Sequence, residues 1–203
     1  MTTTFFLLRH AAHDRLGRVL CGRMPGVTLG EAGRAQAAAL AERLSRETVA
    51  AVYSSPLERA RETAEPVAAR LGLSVEIAPE IDEIGFGDWS GMSFEALKSD
   101  PRWTAWNAAR SVTRPPGGET MLEAQARAVG FIERLRGRHR DGAAALVSHS
   151  DLLKAVLSWC LGLPLDLIAR FEIGPASLST VVVGDWGAKV LSLNESLVHE
   201  GWA

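Results

Sequence analysis

The chain has 203 residues, of which 47% are hydrophobic and 23% charged, proportions that suit one packed globular domain and exclude a disordered or disulfide-stapled chain. Its 22 Lys and Arg against 24 Asp and Glu leave a formal net charge of -2, so nothing draws nucleic acid or an anionic membrane in general; an anionic ligand needs a local positive cluster. Cys21 and Cys160 form no CxxC pair and read as free thiols, and the amino-terminal apolar run is too short for a signal core or a membrane span, so a cytoplasmic location is expected.

Residues 4–8 (TFFLL) lack helical period and predict a buried strand that empties into Arg9 and His10. Thr28-Leu29-Gly30-Glu31 has the form of a capping box and predicts a helix over about 30–47. A second strand follows at 49–53. Ser55-Pro56-Leu57-Glu58 reads as another helix start, with Ser at the N-cap, Pro at N1 and Glu at N3. That helix should run to Leu71, stop at Gly72 and kink at Pro66. A third strand is expected at 74–78.

Residues 83–118 break this rhythm. Trp89, Trp103 and Trp106 sit there among glycines, prolines and polar residues, and the stretch reads as an inserted cap of loops and short helices. Helical spacing returns at 119–138, a strand follows at 143–148, and a helix over about 151–161 stops before Gly162 and Pro164. Runs at 177–183 and 189–193 predict a hairpin that turns at Gly184–Gly187. Alternating strands and helices predict a single α/β domain over 1–203. Its architecture would be a three-layer α/β/α sandwich with a mostly parallel sheet, one antiparallel edge and the small cap.

In such a sheet, ligands bind beyond the carboxyl ends of the strands. Four strand exits deliver ionisable groups there: Arg9 and His10; Arg59; Asp82 and Glu83; and His149. These groups suit phosphoryl transfer, in which charge spreads over three equatorial oxygens and catalysis is chiefly positioning and fixed positive charge. Arginines can grip such oxygens bidentately, a neutral imidazole is a competent nucleophile, and a carboxylic acid of raised pKa can protonate a leaving alkoxide.

The run into Leu8-Arg9-His10, the Ser54-Ser55-Pro56-Leu57-Glu58-Arg59-Ala60 segment with Thr63-Ala64, the Glu83 of IDEIGFGDWSG and the late LVSH ending at His149 together resemble the histidine phosphatase superfamily, which includes cofactor-dependent phosphoglycerate mutases. The resemblance spans residue 5 to about 160, in order and at the family's separations. It implies His10 as the phosphorylated nucleophile, with Arg9, Arg59 and His149 as the phosphate pocket. Glu83 would be the general acid and then the base. No metal or other cofactor is implied. Arg23 stands where family members contact the substrate phosphate. Gly117-Gly118-Glu119 resembles a loop near the site, although Glu119 reads equally as the start of the 119–138 helix.

Two positions depart from the family pattern. Ala11 replaces the usual glycine after the Arg-His pair, and Ser150-Asp151 replaces the usual Gly-Gly after the second histidine. Asp151 has two readings, orienting His149 or capping the next helix. Asp82 and Glu80 compete with Glu83 for the acid role, whereas Arg61, His139 and His199 read as surface residues. His10, His13, Asp14 and His149 could also be imagined as a metal site, but two neighbouring arginines would repel the ion and compete for its carboxylate.

The expected activity is therefore hydrolysis of small-molecule phosphate esters. Mutase-type transfer is the alternative, weakened because glycolytic mutases of the family carry longer insertions; a non-catalytic phosphoester-binding protein is a third reading. The tryptophans read first as cap packing, and secondarily point to a ring-containing leaving group of nucleoside or α-ribazole type. No nucleic-acid or membrane partner is expected, and the sequence sets no oligomeric state.

Overall fold

The computed structural model describes residues 1–196. Strands β1 (Thr2–Arg9), β2 (Ala51–Ser54), β3 (Val75–Ile77), β4 (Ala143–Ser148), β5 (Leu178–Gly184) and β6 (Gly187–Glu195) form one sheet in the order β3-β2-β4-β1-β5-β6. The β3-β2-β4-β1 portion is parallel, while β5 runs antiparallel to both β1 and β6. This is the mixed α/β architecture the sequence predicts, with its antiparallel part made by the carboxyl-terminal hairpin.

Alternation along the central strands explains the layers. Phe5, Leu7, Tyr53 and Leu146 face one cluster, shared with α5 (Met121–Arg138) and α6 (Ser150–Leu161). Phe6, Leu8, Val52 and Val147 face the other, shared with α1 (Glu31–Leu44) and α2 (Glu58–Leu71). Strands buried on both faces lose the polar alternation of a half-exposed sheet, which is why they read as unbroken apolar runs.

Two helix starts differ from the sequence reading. Thr28 caps nothing: the N-cap of α1 is Gly30, and the entry segment is held instead by Glu62, which accepts a hydrogen bond from Leu29 N at 2.8 Å. Ser55 is not the cap of α2, whose N-cap is Leu57. Its hydroxyl is committed to the site, as described below. The capping box lies elsewhere, at Thr120 and Glu123, so α5 begins at Met121 with Glu119 outside it. Helix α2 continues through Pro66 to Leu71 and ends on a left-handed Gly72.

Residues between β3 and α5 hold short 3-10 turns and two small helices, α3 (Phe94–Lys98) and α4 (Pro101–Ala108). Trp89 and Trp106 are fully buried there and meet each other and Trp103 and Phe86 edge to face, so two of the three cap tryptophans serve packing. A close approach ties this segment to the PPGGET loop. A side chain at Gly118 would put its Cβ 2.1 Å from Gly85 O, and one at Gly87 would sit 2.0 Å from Pro116 O. Only glycines allow the two backbones to touch, and this contact sets Glu119 beside Gly85.

Candidate active site

The parallel strands all end at the same edge of the sheet. Arg9 pairs with Ser148 across β1 and β4, so the next residue of each strand, His10 and His149, emerges side by side. Their ring centroids are 5.2 Å apart. The second residue of α2, Arg59, arrives beside them from the exit of β2, and Glu83 arrives from the segment after β3. Arg9, His10, Arg59 and Glu83 line one cavity of about 410 Å³, together with His13, Phe86, Trp103 and others. His149 lies directly behind, fully buried, with Nδ1 3.9 Å from Glu83 Oε2.

His10 Nδ1 lies 2.8 Å from the carbonyl of Ala11. A carbonyl only accepts, so Nδ1 carries the proton and Nε2 keeps its lone pair. Burial holds the His10 pKa well below the ordinary histidine range, and the charges of Arg9 and Arg59 press it further down. The ring is therefore neutral and nucleophilic at physiological pH. Behind it, Ala11 N donates to Thr63 Oγ1 at 3.0 Å, and Thr63 in turn donates to Arg59 O, which fixes the backbone carrying His10 to the helix carrying Arg59.

Both arginines are held by one carbonyl each: Arg9 Nη1 donates to Ile173 O at 2.6 Å, and Arg59 Nη2 to Gly22 O at 2.7 Å. Their remaining buried donors, Arg9 Nε and Arg59 Nε and Nη1, have no protein partner. Buried donors are normally satisfied, so a cluster of such guanidinium atoms on one cavity is a feature of anion recognition.

Of the three acids that sequence offers for the role, Glu83 is the one that lines the cavity, its side chain 13% exposed. Burial, with help from the Asp151 carboxylate, raises its pKa to about 7. Of its competitors, Glu80 pairs with Arg134 at the surface. Asp82 accepts from Ser55 Oγ at 3.0 Å and from Glu83 N at 2.8 Å. Ser55 Oγ also meets His149 Nε2 at 2.8 Å, so the hydroxyl read from sequence as a helix cap is a link between His149 and Asp82.

Other residues fall differently from their sequence readings. Arg23 stands behind Glu83, not on the cavity wall: it donates to Glu83 O at 2.7 Å and to Glu119 Oε1 at 2.6 Å. Glu119 also accepts from Gly85 N and Arg127, so it braces the Glu83 segment, where sequence offers it a helix start. Asp151 neither caps α6, whose N-cap is His149, nor bonds to His149; it pairs with Arg110 Nη1 at 3.1 Å across the cavity.

Arg110 carries no motif or period that sequence could single out. His13, read only as a member of an imagined metal set, stacks on His10 with centroids 5.3 Å apart, and burial lowers its pKa to about 4. Among the described residues no group of three or more His, Cys, Asp or Glu is placed to hold a metal. His139 is half-buried and hydrogen-bonded to Tyr53 Oη at 2.9 Å, not a free surface residue; Arg61 is exposed, and His199 lies outside the described residues.

A neutral imidazole with a bare nitrogen, two anchored guanidinium groups and a carboxylic acid with its pKa raised to about 7 together supply what phosphoryl transfer requires, on an α/β scaffold. The histidine phosphatase superfamily (branch 1) model matches residues 5–196, and the chain belongs to that superfamily. It is a hydrolase of the histidine phosphatase type.

Among curated relatives, phosphoserine phosphatase 1 of Hydrogenobacter thermophilus is 34% identical over 178 residues, covering 85% of this chain and 84% of that protein. Glucosyl-3-phosphoglycerate phosphatase of Mycolicibacterium vanbaalenii is 30% identical over 79% of this chain and 75% of its own length. The solved structure of a mycobacterial glucosyl-3-phosphoglycerate phosphatase superposes with a TM-score of 0.87 at 27% identity, covering 97% of this chain and 100% of that one.

Proposed function

We propose that the protein hydrolyses small phosphomonoesters through a phosphohistidine on His10. His10 Nε2 attacks phosphorus, the bond to the ester oxygen breaks, and Glu83 gives its proton to the departing alkoxide. Glu83, now a carboxylate, takes a proton from water; the resulting nucleophile breaks the phosphorus–nitrogen bond and frees inorganic phosphate. Arg9 and Arg59 hold the equatorial oxygens throughout. His149 stands behind them, its Nδ1 3.9 Å from Glu83 Oε2.

The observation that carries this reading is the convergence of His10, Arg9, Arg59 and Glu83 on one cavity, with the His10 lone pair left free by the Ala11 carbonyl. Relatives named for phosphoserine and for glucosyl-3-phosphoglycerate support phosphomonoesters as the substrate class. The segment at 83–118 acts as the cap, supplying Trp103 and Phe94 to the leaving-group side.

Cys21 and Cys160 are unpaired, which supports a reducing cytoplasm. Among the described residues no helix is long and apolar enough to cross a membrane.

The test is His10→Ala. Turnover of a phosphomonoester panel and acid-labile labelling by substrate phosphate should both disappear. Full activity or undiminished labelling in that variant rejects the proposal.

A further inference from the structure

The cavity contains a charged pair set apart from the groups that would hold the phosphate, although its acid, Asp151, also helps raise the Glu83 pKa. Arg110 lies two residues beyond α4 and Asp151 in the first turn of α6, and their side chains are only 19% and 26% exposed. Arg110 has Asp151 Oδ2 3.1 Å from its Nη1, donates from Nη2 to Asn107 Oδ1 at 2.8 Å and lies over the buried Trp106 ring at 5.6 Å, while Nη1 itself makes no hydrogen bond among the described residues. The same cavity is lined by the apolar Leu16, Val19, Phe94 and Trp103.

The other charges around the cavity are already matched. Arg9 and Arg59 suffice for a phosphate dianion, while His10, His13 and His149 are kept neutral, chiefly by burial. Arg23 and Arg127 are bound to Glu119. Arg15 and Arg18, on the loop after β1, are exposed and do not line the cavity. An anionic group on the alcohol part of a substrate would meet Arg110 in competition with the Asp151 carboxylate 3.1 Å away. Displacing that carboxylate would strand it, half-buried, near Glu83. A cationic group faces the mirror problem at Arg110.

Resting on the hydrolysis proposed above, we propose that Arg110 and Asp151 are specificity residues for the leaving group: as opposite charges 3.1 Å apart they offer no net counter-charge, and the preferred substrates are phosphate esters whose alcohol part has an apolar face and no net charge. Such a preference also disfavours phosphoglycerate-like substrates, whose carboxylate would fall beside Asp151. Discrimination of this kind works by leaving the wrong partner's charge unpaired as much as by attracting the right one.

The test compares kcat/KM for benzyl phosphate, 3-phosphoglycerate and phosphocholine, all esters of alkyl alcohols. The wild type should favour benzyl phosphate over either charged ester by about tenfold or more, a difference of about 1.4 kcal/mol. Asp151→Asn should raise the 3-phosphoglycerate to benzyl phosphate ratio by about tenfold. Arg110→Gln should lower that ratio and raise the one for phosphocholine. Loss of packing alone would depress all three esters together and leave the ratios in place.

Ratios that stay within about twofold of wild type in both variants overturn the proposal while leaving hydrolysis intact. If Asp151→Asn does not fold, Asp151→Ser makes the same charge change. Dissociation constants for the three esters on His10→Ala, with and without Asp151→Asn, read the same ratios without turnover. Should no ester be turned over by wild type, hydrolysis fails and these constants alone decide the leaving-group proposal.

Discussion

His149 Nε2 lies 2.8 Å from Ser55 Oγ, and the same hydroxyl lies 3.0 Å from Asp82 Oδ1. A carboxylate only accepts, so the Ser55 proton points to Asp82 and the hydroxyl oxygen accepts from His149. The relay fixes the His149 tautomer and turns Nδ1 towards the Glu83 side of the site. Ser55→Ala strands a buried N–H, at a cost of about 1–3 kcal/mol. The expected result is a fall of about tenfold in kcat/KM together with a lowered thermal midpoint; unchanged kinetics would remove His149 orientation from the account.

Glu83 couples activity to stability. With its pKa raised to about 7, the folded protein binds this proton more tightly than the unfolded chain does. The stabilising contribution is present at low pH and is lost as pH climbs from the ordinary carboxylate range to about 7. Glu83→Gln should lower kcat by about 10²–10⁴ fold. In urea titrations the same variant should gain on wild type as pH rises towards about 8, by up to roughly 3 kcal/mol. Parallel stability curves for the two proteins would show that the carboxyl is not held protonated.

The buried histidines act in the opposite sense. His10, His13 and His149 all have lowered pKa values, chiefly through burial, so the unfolded chain takes up their protons first as pH drops below about 6.5. Stability should therefore fall with acidification. Each group contributes a slope of at most about 1.4 kcal/mol per pH unit, and Glu83 partly offsets it. His13→Phe keeps a ring against His10 and removes one titrating group, so urea midpoints measured from about pH 7 to 5 should flatten. An unaltered slope would mean that His13 is not buried in its neutral form.

Arg59 is 1% exposed, with two guanidinium nitrogens unpartnered. Holding such a charge in the interior is costly, and replacing it by an apolar side chain of similar length should spare that cost. Arg59→Met is expected to melt higher than wild type in plain buffer, yet to lose kcat/KM by about 10³ fold or more. Inorganic phosphate at about a hundred times its Kd should stabilise wild type by about 2.7 kcal/mol and the variant far less. Equal stabilisation by phosphate in differential scanning fluorimetry would place anion binding elsewhere.

The strands were legible because burial on both faces gives unbroken apolar runs, and His10 and His149 because they stand where those runs stop. Caps were less legible, since one pattern serves more than one purpose. Thr28 and Ser55 have cap-like sequences, but Glu62 holds Leu29 N at the entry to α1 and the Ser55 hydroxyl is committed to His149 and Asp82. The Thr120-Met121-Leu122-Glu123 box forms as its spacing implies. Asp151 was legible only as a neighbour of His149. Its actual partner, Arg110, belongs to the aperiodic cap, where no repeat marks a residue's direction, so their pairing exists only in three dimensions.

The ladder that joins Arg9 to Ser148 makes the centre a property of the whole chain. His10 is synthesised well before His149, with β2, β3, the cap and β4 made in between. A nascent or truncated amino-terminal half would thus carry His10 without its surroundings and be chemically silent. Recovery of enzymatic competence after dilution from denaturant then becomes a clock for closure of the central sheet, keeping pace with the slowest long-range strand association and not with early local helix formation.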